Sequence, residues 1–167
     1  MSRLETPFRY DHVGSFLRPE KLKEARRKFD DGDIGYEELK KVEDEAITEL
    51  VGKLKEIGYH VITDGEFRRA TWHLDFMWGF DGVGHVETKT GLPFHGEAAM
   101  IDDTFLVGKI KSSKEHPFVE HFRFVKQFED EETVAKQTIP APAQFTMPFN
   151  RVETEKYYSS DDELADD

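Results

Sequence analysis

The 167-residue chain predicts an α/β fold in which strands alternate with helices and run parallel. Three observations carry this expectation. Short apolar runs such as Val61-Ile62-Thr63, which breaks at Asp64-Gly65, and Thr104 to Ile110 read as strands. Between them lie stretches with apolar residues every three to four positions, the spacing of a helix with one buried face. The two kinds of segment follow one another in turn, the pattern of units built on a parallel sheet.

In chain order, Phe8 to Ser15 reads as a first strand stopped by Gly14-Ser15. Pro19 sits at a helix start, and Glu20 to Phe29 follow with Leu22, Ala25, Arg26 and Phe29 on one face before Asp31-Gly32-Asp33 closes the helix. A longer helix is expected from about Tyr36 to Ile57, with Leu39, Val42, Ala46, Leu50, Leu54 and Ile57 as its buried stripe and Gly58 as its cap. Val61 opens a second strand, which completes a βαβ unit with parallel strands. Ala70 to Gly79 predicts a short helix carrying Trp72, Phe76, Met77 and Trp78. Phe80 to Met100, rich in glycine with alternating Val83, His85 and Glu87 around Lys89-Thr90-Gly91, predicts an inserted hairpin region. Thr104 to Ile110 is a third strand, and Pro117 to Phe128 a helix with Phe118, Phe122, Val125 and Phe128 on one side. Ala135 to Ile139 is a fourth strand, ended by Pro140-Ala141-Pro142-Ala143. Beyond Asn150 the chain turns polar and acidic, and no stable structure is expected there.

Four such units in order correspond to about half of an eight-stranded (β/α)8 barrel, since a full barrel needs about 250 residues. An open doubly wound sheet is the other arrangement, but Gly14-Ser15-Phe16-Leu17-Arg18 lacks the glycine fingerprint of a dinucleotide site, and the phosphate-loop motif is missing.

Composition narrows the function classes. A formal net charge of -12 opposes phosphate backbones and anionic membrane surfaces, so no nucleic acid or membrane partner is expected. The acidic clusters are expected to be solvated faces. Cysteine is absent, which removes disulfides and thiolate nucleophiles or ligands. No apolar run approaches the roughly 20 residues of a membrane span and the start lacks a secretory signal, so a cytoplasmic protein is expected.

The segment Val61 to Arg69 is the expected site. In an α/β protein ligands bind at the carboxyl ends of strands, where the sheet fixes the backbone and loop side chains converge. Here a buried strand breaks at Asp64-Gly65 into Glu66, Arg68 and Arg69.

Two motifs carry a resemblance. His12-Val13-Gly14-Ser15-Phe16-Leu17-Arg18-Pro19 followed by Ile62-Thr63-Asp64-Gly65-Glu66 resembles the cobalamin-independent methionine synthases, specifically the shorter bacterial relatives that match their C-terminal catalytic barrel. The likeness runs from about Pro7 to Asn150, through Val107-Gly108-Lys109-Ile110 and Thr138-Ile139-Pro140-Ala141-Pro142. It implies a partial TIM barrel of about the first four β/α units over 1–150, with 151–167 as an acidic tail. It also implies the chemistry of a 5-methyltetrahydropteroyltriglutamate-homocysteine S-methyltransferase, with homocysteine and a methyl-folate as substrates and no cobalamin. In the family, a Gly-Ser turn after the first strand and a Gly-Glu pair after the second hold the amino-acid end of homocysteine. The resemblance therefore makes Val13, Gly14, Ser15 and Glu66 the substrate-binding candidates and assigns no catalytic residue; His12, at the end of the first strand, joins them as a residue that either lines the substrate pocket or bonds a backbone group. Exposed N–H groups and the Ser15 hydroxyl suit a carboxylate, and Glu66 suits an ammonium.

The family activates its thiol on zinc held by a His, Cys and Cys set, with a Glu in some members, from later strands; this chain has no cysteine. The expectation is an N-terminal half without the zinc ligands, inactive alone, which associates with itself or with a missing C-terminal half. The alternatives are a non-catalytic, self-associating half-barrel module, or a relative acting on another thiol and alkyl pair. Of the remaining candidates, Asp64 is read as a turn residue rather than a base, and Arg18, Arg68 and Arg69 as ion-pair partners. His73, His85, His95, His116 and His121 lack metal-ligand spacing, and Trp72 and Trp78 are read as core or interface.

Overall fold

The computed structural model describes residues 12–86, 91–94, 97–100, 103–141, 144 and 154–167. They form a mixed α/β structure in two compact units, Met1–Trp72 with Phe118–Thr138 and His73–Pro117 with Ile139–Asp167.

The first unit is built on two helices and a short parallel sheet. Helix α1, Glu20–Asp30, starts one residue after Pro19, whose fixed φ suits a helix entry. It stops where Gly32 turns left-handed (φ 79°) and Asp33 N–H reaches back to the Lys28 carbonyl at 2.8 Å. Helix α2, Tyr36–Glu56, ends the same way at Gly58 (φ 88°), with Tyr59 N–H on the Leu54 carbonyl at 2.9 Å. In each case glycine supplies the backbone conformation that lets the final carbonyls be satisfied. Leu22 and Ala25 of α1 pack with Leu39, Ala46, Ile47, Val51 and Leu54 of α2 in one apolar core. The expected α2 stripe is thus shifted: Ile47 and Val51 are buried, while Ile57, the cap residue, is 68% exposed.

Strand β1, Val61–Ile62, lies under that core and pairs in parallel with a later strand, Val134–Ala135, matching Val61 with Val134 and Ile62 with Ala135. The chain between them includes a helix, Pro117–Lys126, whose Phe118 and Val125 are buried. That helix falls where the sequence placed it. The expected first strand differs: residues 8–11 lie outside the described residues, and 12–15 are not in a strand. The fourth strand, expected over 135–139, is shorter and begins at Val134, so that 136–139 follow it as loop.

The second unit begins with a one-turn helix, α3, Leu74–Met77, within the expected 70–79. Strand β2, Asp81–Val86, pairs antiparallel with a nine-residue strand, Asp103–Lys111, matching Val83 with Leu106 and Val86 with Asp103. Between them β3, Gly91–Phe94, and β4, Glu97–Met100, pair as an antiparallel hairpin. In chain order the remaining elements are β5 (Asp103–Lys111), α4 (Pro117–Lys126), β6 (Val134–Ala135) and α5 (Asp161–Asp166).

Two expectations are corrected here. The run at Thr104 to Ile110 is not a parallel strand; it is β5 of this antiparallel ribbon, so the described parallel strands are β1 and β6 alone. Strand and helix alternation does not fix the partner, and β2 offered β5 a mate nearer in sequence. The acidic end also has structure. Ser160 caps α5 by accepting the Glu163 N–H at 3.2 Å, and Leu164 and Tyr158 bury against Leu106. These apolar residues lie too sparsely among acids to show as a periodic face.

Candidate functional site

The site lies wholly within the first unit, at the carboxyl ends of β1 and β6. After Ile62 the chain turns sharply: Thr63 Oγ1 accepts the Gly65 N–H at 3.1 Å, and Asp64 Oδ1 accepts the Glu66 N–H at 2.9 Å. These are the self-bonding turns expected of Thr and Asp. Gly65 has φ 65°, which favours glycine, and a Cβ there would meet Leu50 Cδ2 at 2.5 Å and push that side chain aside. Glu66 follows with φ 58°, the one non-glycine with positive φ among the described residues. Such a conformation costs about 1–3 kcal/mol and persists only where the surroundings over-determine it.

Both oxygens of the Glu66 carboxylate are engaged. Ser15 Oγ donates to Oε2 at 3.0 Å, across 51 residues of sequence. Thr138 Oγ1 donates to Oε1 at 2.8 Å, and Arg69 Nη1 lies 3.2 Å from the same oxygen. Arg69 is 2% exposed and also donates to the Thr138 carbonyl at 2.6 Å, with its guanidinium 4.5 Å from the centre of the Phe118 ring. A buried carboxylate needs such a partner, because an unpaired charge there would cost several kcal/mol.

The glycine-serine turn is seated on this loop. Phe16 N–H donates to the Gly65 carbonyl at 3.1 Å, and Arg18 donates to the carbonyls of Glu66 (2.9 Å), Arg69 (2.6 Å) and Phe67 (3.4 Å). Gly14 is left-handed (φ 94°) with open space around its α-carbon. Val13 is 79% exposed. His12 stacks on Phe16 with ring centres 3.9 Å apart, its carbonyl accepts Lys136 Nζ at 2.5 Å, and its Nε2 is buried without a hydrogen-bond partner.

Of the five residues the sequence singled out, the structure therefore brings Ser15 and Glu66 into contact, with Gly14 beside them. His12 packs on Phe16, and Val13 turns its side chain to solvent. Asp64 is a turn residue, as expected, but its second oxygen, Oδ2, is buried without a partner. Arg68 pairs with Glu43 at 3.1 Å and with Asp44, in the structural role foreseen for it. Thr138 stands in the Thr138-Ile139-Pro140 motif without a role read from sequence; its signal is its place just beyond the β6 run and before Pro140. Burial and the nearby Arg68 charge push the His121 imidazole down to about 4, so it is neutral at pH 7.

The zinc set implied by resemblance does not fit the residues present. Among the described residues no three His, Asp or Glu side chains converge as metal ligands, and the sequence has no cysteine. A cleft of about 300 Å³ in the same unit is lined by Phe16, Leu17, Leu50 and Phe67 among others; its apolar walls contain neither Ser15 nor Glu66. Among the described residues no helix is long and apolar enough to cross a membrane.

The arrangement is a charged, buried cluster at the strand ends, its carboxylate held by a serine, a threonine and an arginine. Comparison with known proteins places it in context. No family model matches the chain. It is 41% identical over 138 residues to the uncharacterized protein YxjH and 39% identical over 165 residues to the uncharacterized protein YxjG, both of Bacillus subtilis. These alignments cover 83% and 98% of this chain but 36% and 42% of the relatives, so the chain spans well under half the length of the curated relatives it matches. A methionine synthase of Sulfolobus acidocaldarius is 34% identical over 77 residues, 44% of this chain and 23% of that one. Among solved structures, a Listeria monocytogenes protein provisionally assigned as a vitamin-B12 independent methionine synthase is 40% identical with a TM-score of 0.71, covering 89% of this chain and 41% of that one. A B12-independent methionine synthase from Shewanella sp. W3-18-1 shares the fold at 20% identity, with a TM-score of 0.61 over 91% of this chain and 42% of that one. In sequence and fold, the chain is thus similar to B12-independent methionine synthase-like proteins over about 41% of their length.

Proposed function

We propose that this chain forms the amino-acid-binding part of a zinc-dependent S-methyltransferase of the cobalamin-independent methionine synthase type. The reaction moves a methyl group from a methyl-folate to the homocysteine thiol. On this reading β1, β6 and the helices around them belong to the first half of a (β/α)8 barrel, with β2 to β5 as its excursion. On the same reading the zinc ligands come from outside these residues: the sequence has no cysteine, and among the described residues no three His, Asp or Glu side chains converge.

One observation carries the proposal: Ser15 Oγ stands 3.0 Å from Glu66 Oε2, joining two motifs 51 residues apart at the end of a parallel strand. The Ser15 hydroxyl has one proton and gives it to Glu66, so a ligand carboxylate at this turn is met by backbone N–H groups at Gly14 and Ser15. Glu66 then takes the ligand ammonium, with Arg69 and Thr138 fixing the carboxylate's orientation. Each charge-assisted bond contributes about 1.5–3 kcal/mol when desolvated.

Calorimetric titration of the chain with L-homocysteine tests this. Glu66→Gln is expected to weaken binding by about tenfold or more, the loss of one charge-assisted bond. Ser15→Ala, which frees one Glu66 oxygen and alters no charge, is expected to weaken it less. Equal affinity in Glu66→Gln, in a protein that melts as the unchanged chain does, removes Glu66 from the site.

A further inference from the structure

The carboxylate partners of Glu66 fix its side chain, but they do not explain what keeps its backbone left-handed. The turn it belongs to directs the carbonyls of Glu66, Phe67 and Arg69 at a single guanidinium, that of Arg18, at 2.9, 3.4 and 2.6 Å. Carbonyl dipoles converging in this way repel one another unless a cation or several donors meet them. A planar guanidinium with five N–H groups does both; an ammonium at the same place is a point charge on a shorter stem. Arg26 adds a bond to the Phe67 carbonyl at 2.9 Å.

Arg18 also belongs to the segment that carries the other half of the site. Within four residues, Ser15 donates to the Glu66 side chain, Phe16 N–H to the Gly65 carbonyl and Arg18 to the three carbonyls beyond. Nothing else among the described residues joins these two stretches at so many successive points. The strained residue is the one whose carboxylate meets the ligand, so the clamp and the ligand site share one backbone.

We propose that Arg18 is a positioning residue: its guanidinium, seated on the carbonyls of Glu66, Phe67 and Arg69, holds the Glu66 turn left-handed and locks the Gly14-Ser15 turn to it. The ligand part of this inference rests on the reading of Ser15 and Glu66 as an amino-acid site. Arg18 touches no ligand; it sets where the two ligand-binding groups stand.

The test uses the full chain with Arg18→Met, Arg18→Lys and Glu66→Gln. Amide hydrogen exchange is measured at Phe16 and Glu66 against Ile47 and Val51 in α2, and L-methionine is titrated as the amino-acid probe. In Arg18→Met, exchange at Phe16 and Glu66 is expected to rise at least about tenfold while α2 keeps its protection, and methionine affinity to fall by about tenfold, the equivalent of losing one bond to a charged donor. Arg18→Lys, which keeps the charge but not the fork, is expected to fall between. Unchanged exchange at Phe16 and Glu66, or loss spread equally through α2, overturns the proposal, and Arg18→Lys decides the matter should Arg18→Met not fold. If Glu66→Gln abolishes methionine binding and Arg18→Met leaves it intact, the positioning role falls and the amino-acid site stands. If methionine shifts no resonance of Ser15 or Glu66 in the unchanged chain, the amino-acid reading falls, and the exchange data still decide whether Arg18 holds the turn.

Discussion

On α4, Phe118, His121 and Phe124 follow one another at helical spacing, and the guanidiniums of Arg69 and Arg68 lie over the first and last of these rings at 4.5 and 5.0 Å. His121 is therefore flanked by two cations and half-buried, and its buried Nδ1 has no hydrogen-bond partner. Burial comes first and Arg68 second in lowering its pKa from 6.5 to about 4. Between those values the unfolded chain binds a proton that the folded chain refuses, so stability rises with pH through that window and is lost as pH falls through it. The window is worth up to about 3 kcal/mol for a fully buried ring, less for one partly open to water. Urea unfolding from pH 4 to 7 should show a shallower slope in His121→Gln than in the unchanged chain; coincident slopes would mean that the ring is protonated in the fold. Gly65 offers a second prediction at this scale. Gly65→Ala must adopt a left-handed backbone and also displace Leu50, whereas Gly58→Ala, with φ 88°, meets nothing within 4 Å. Gly58→Ala should cost about 1 kcal/mol and Gly65→Ala clearly more, read as the difference in urea midpoint.

The elements that could be read from the sequence were those whose signal is local. Helices α1, α2 and α4 each carry an apolar face at helical spacing, and the first two end at a glycine that the turn requires. Pairing partners are not local. Thr104 to Ile110 has the composition of a strand in either direction, and only its register with Val83 and Val86 shows that it runs antiparallel. The acidic end hid its structure for a related reason, since its order comes from partners far away in sequence. Tyr158 donates to Asp167 at 2.5 Å and accepts the Ile110 N–H at 2.8 Å, 48 residues distant. Lys109 holds Glu163 at 2.8 Å, and this pairing with the Ser159 bonds keeps the Glu163 carboxyl down at about 2. Tyr158→Phe leaves the Ile110 amide without its acceptor. It should cost about 1 kcal/mol and speed hydrogen exchange at Ile110 more than in α2, which belongs to the other unit. Equal exchange at Ile110 in both proteins would show that the acidic end does not hold β5.

For the molecule as a whole, the sequence pointed to the strand end that carries the candidate site and to two side chains that meet there, Ser15 and Glu66, because glycine turns and a charge cluster after an apolar run are visible in one dimension. Thr138 and the three carbonyls under Arg18 were hidden, because main-chain acceptors leave no trace in composition and Thr138 is one hydroxyl in a loop. The sheet that carries the site has consequences of its own. Its two described strands pair over two residues each, and an isolated two-stranded sheet is marginal in water. Among the described residues β1 and β6 pair with each other alone, and a sheet edge that stays unpaired recruits another chain. Opposing this is the formal charge of -12, which makes two copies repel at low ionic strength and is screened over about 10 Å at 0.1 M salt. Backbone pairing at a sheet edge involves no net charge and is insensitive to salt in comparison, so the balance should tip toward association as salt rises. Light scattering is expected to give a mass at or above twice the 19.4 kDa of one chain at 0.3 M salt, falling toward one chain at 0.02 M. A mass of one chain at both ionic strengths and at every protein concentration would mean that the sheet edges are covered within the chain itself.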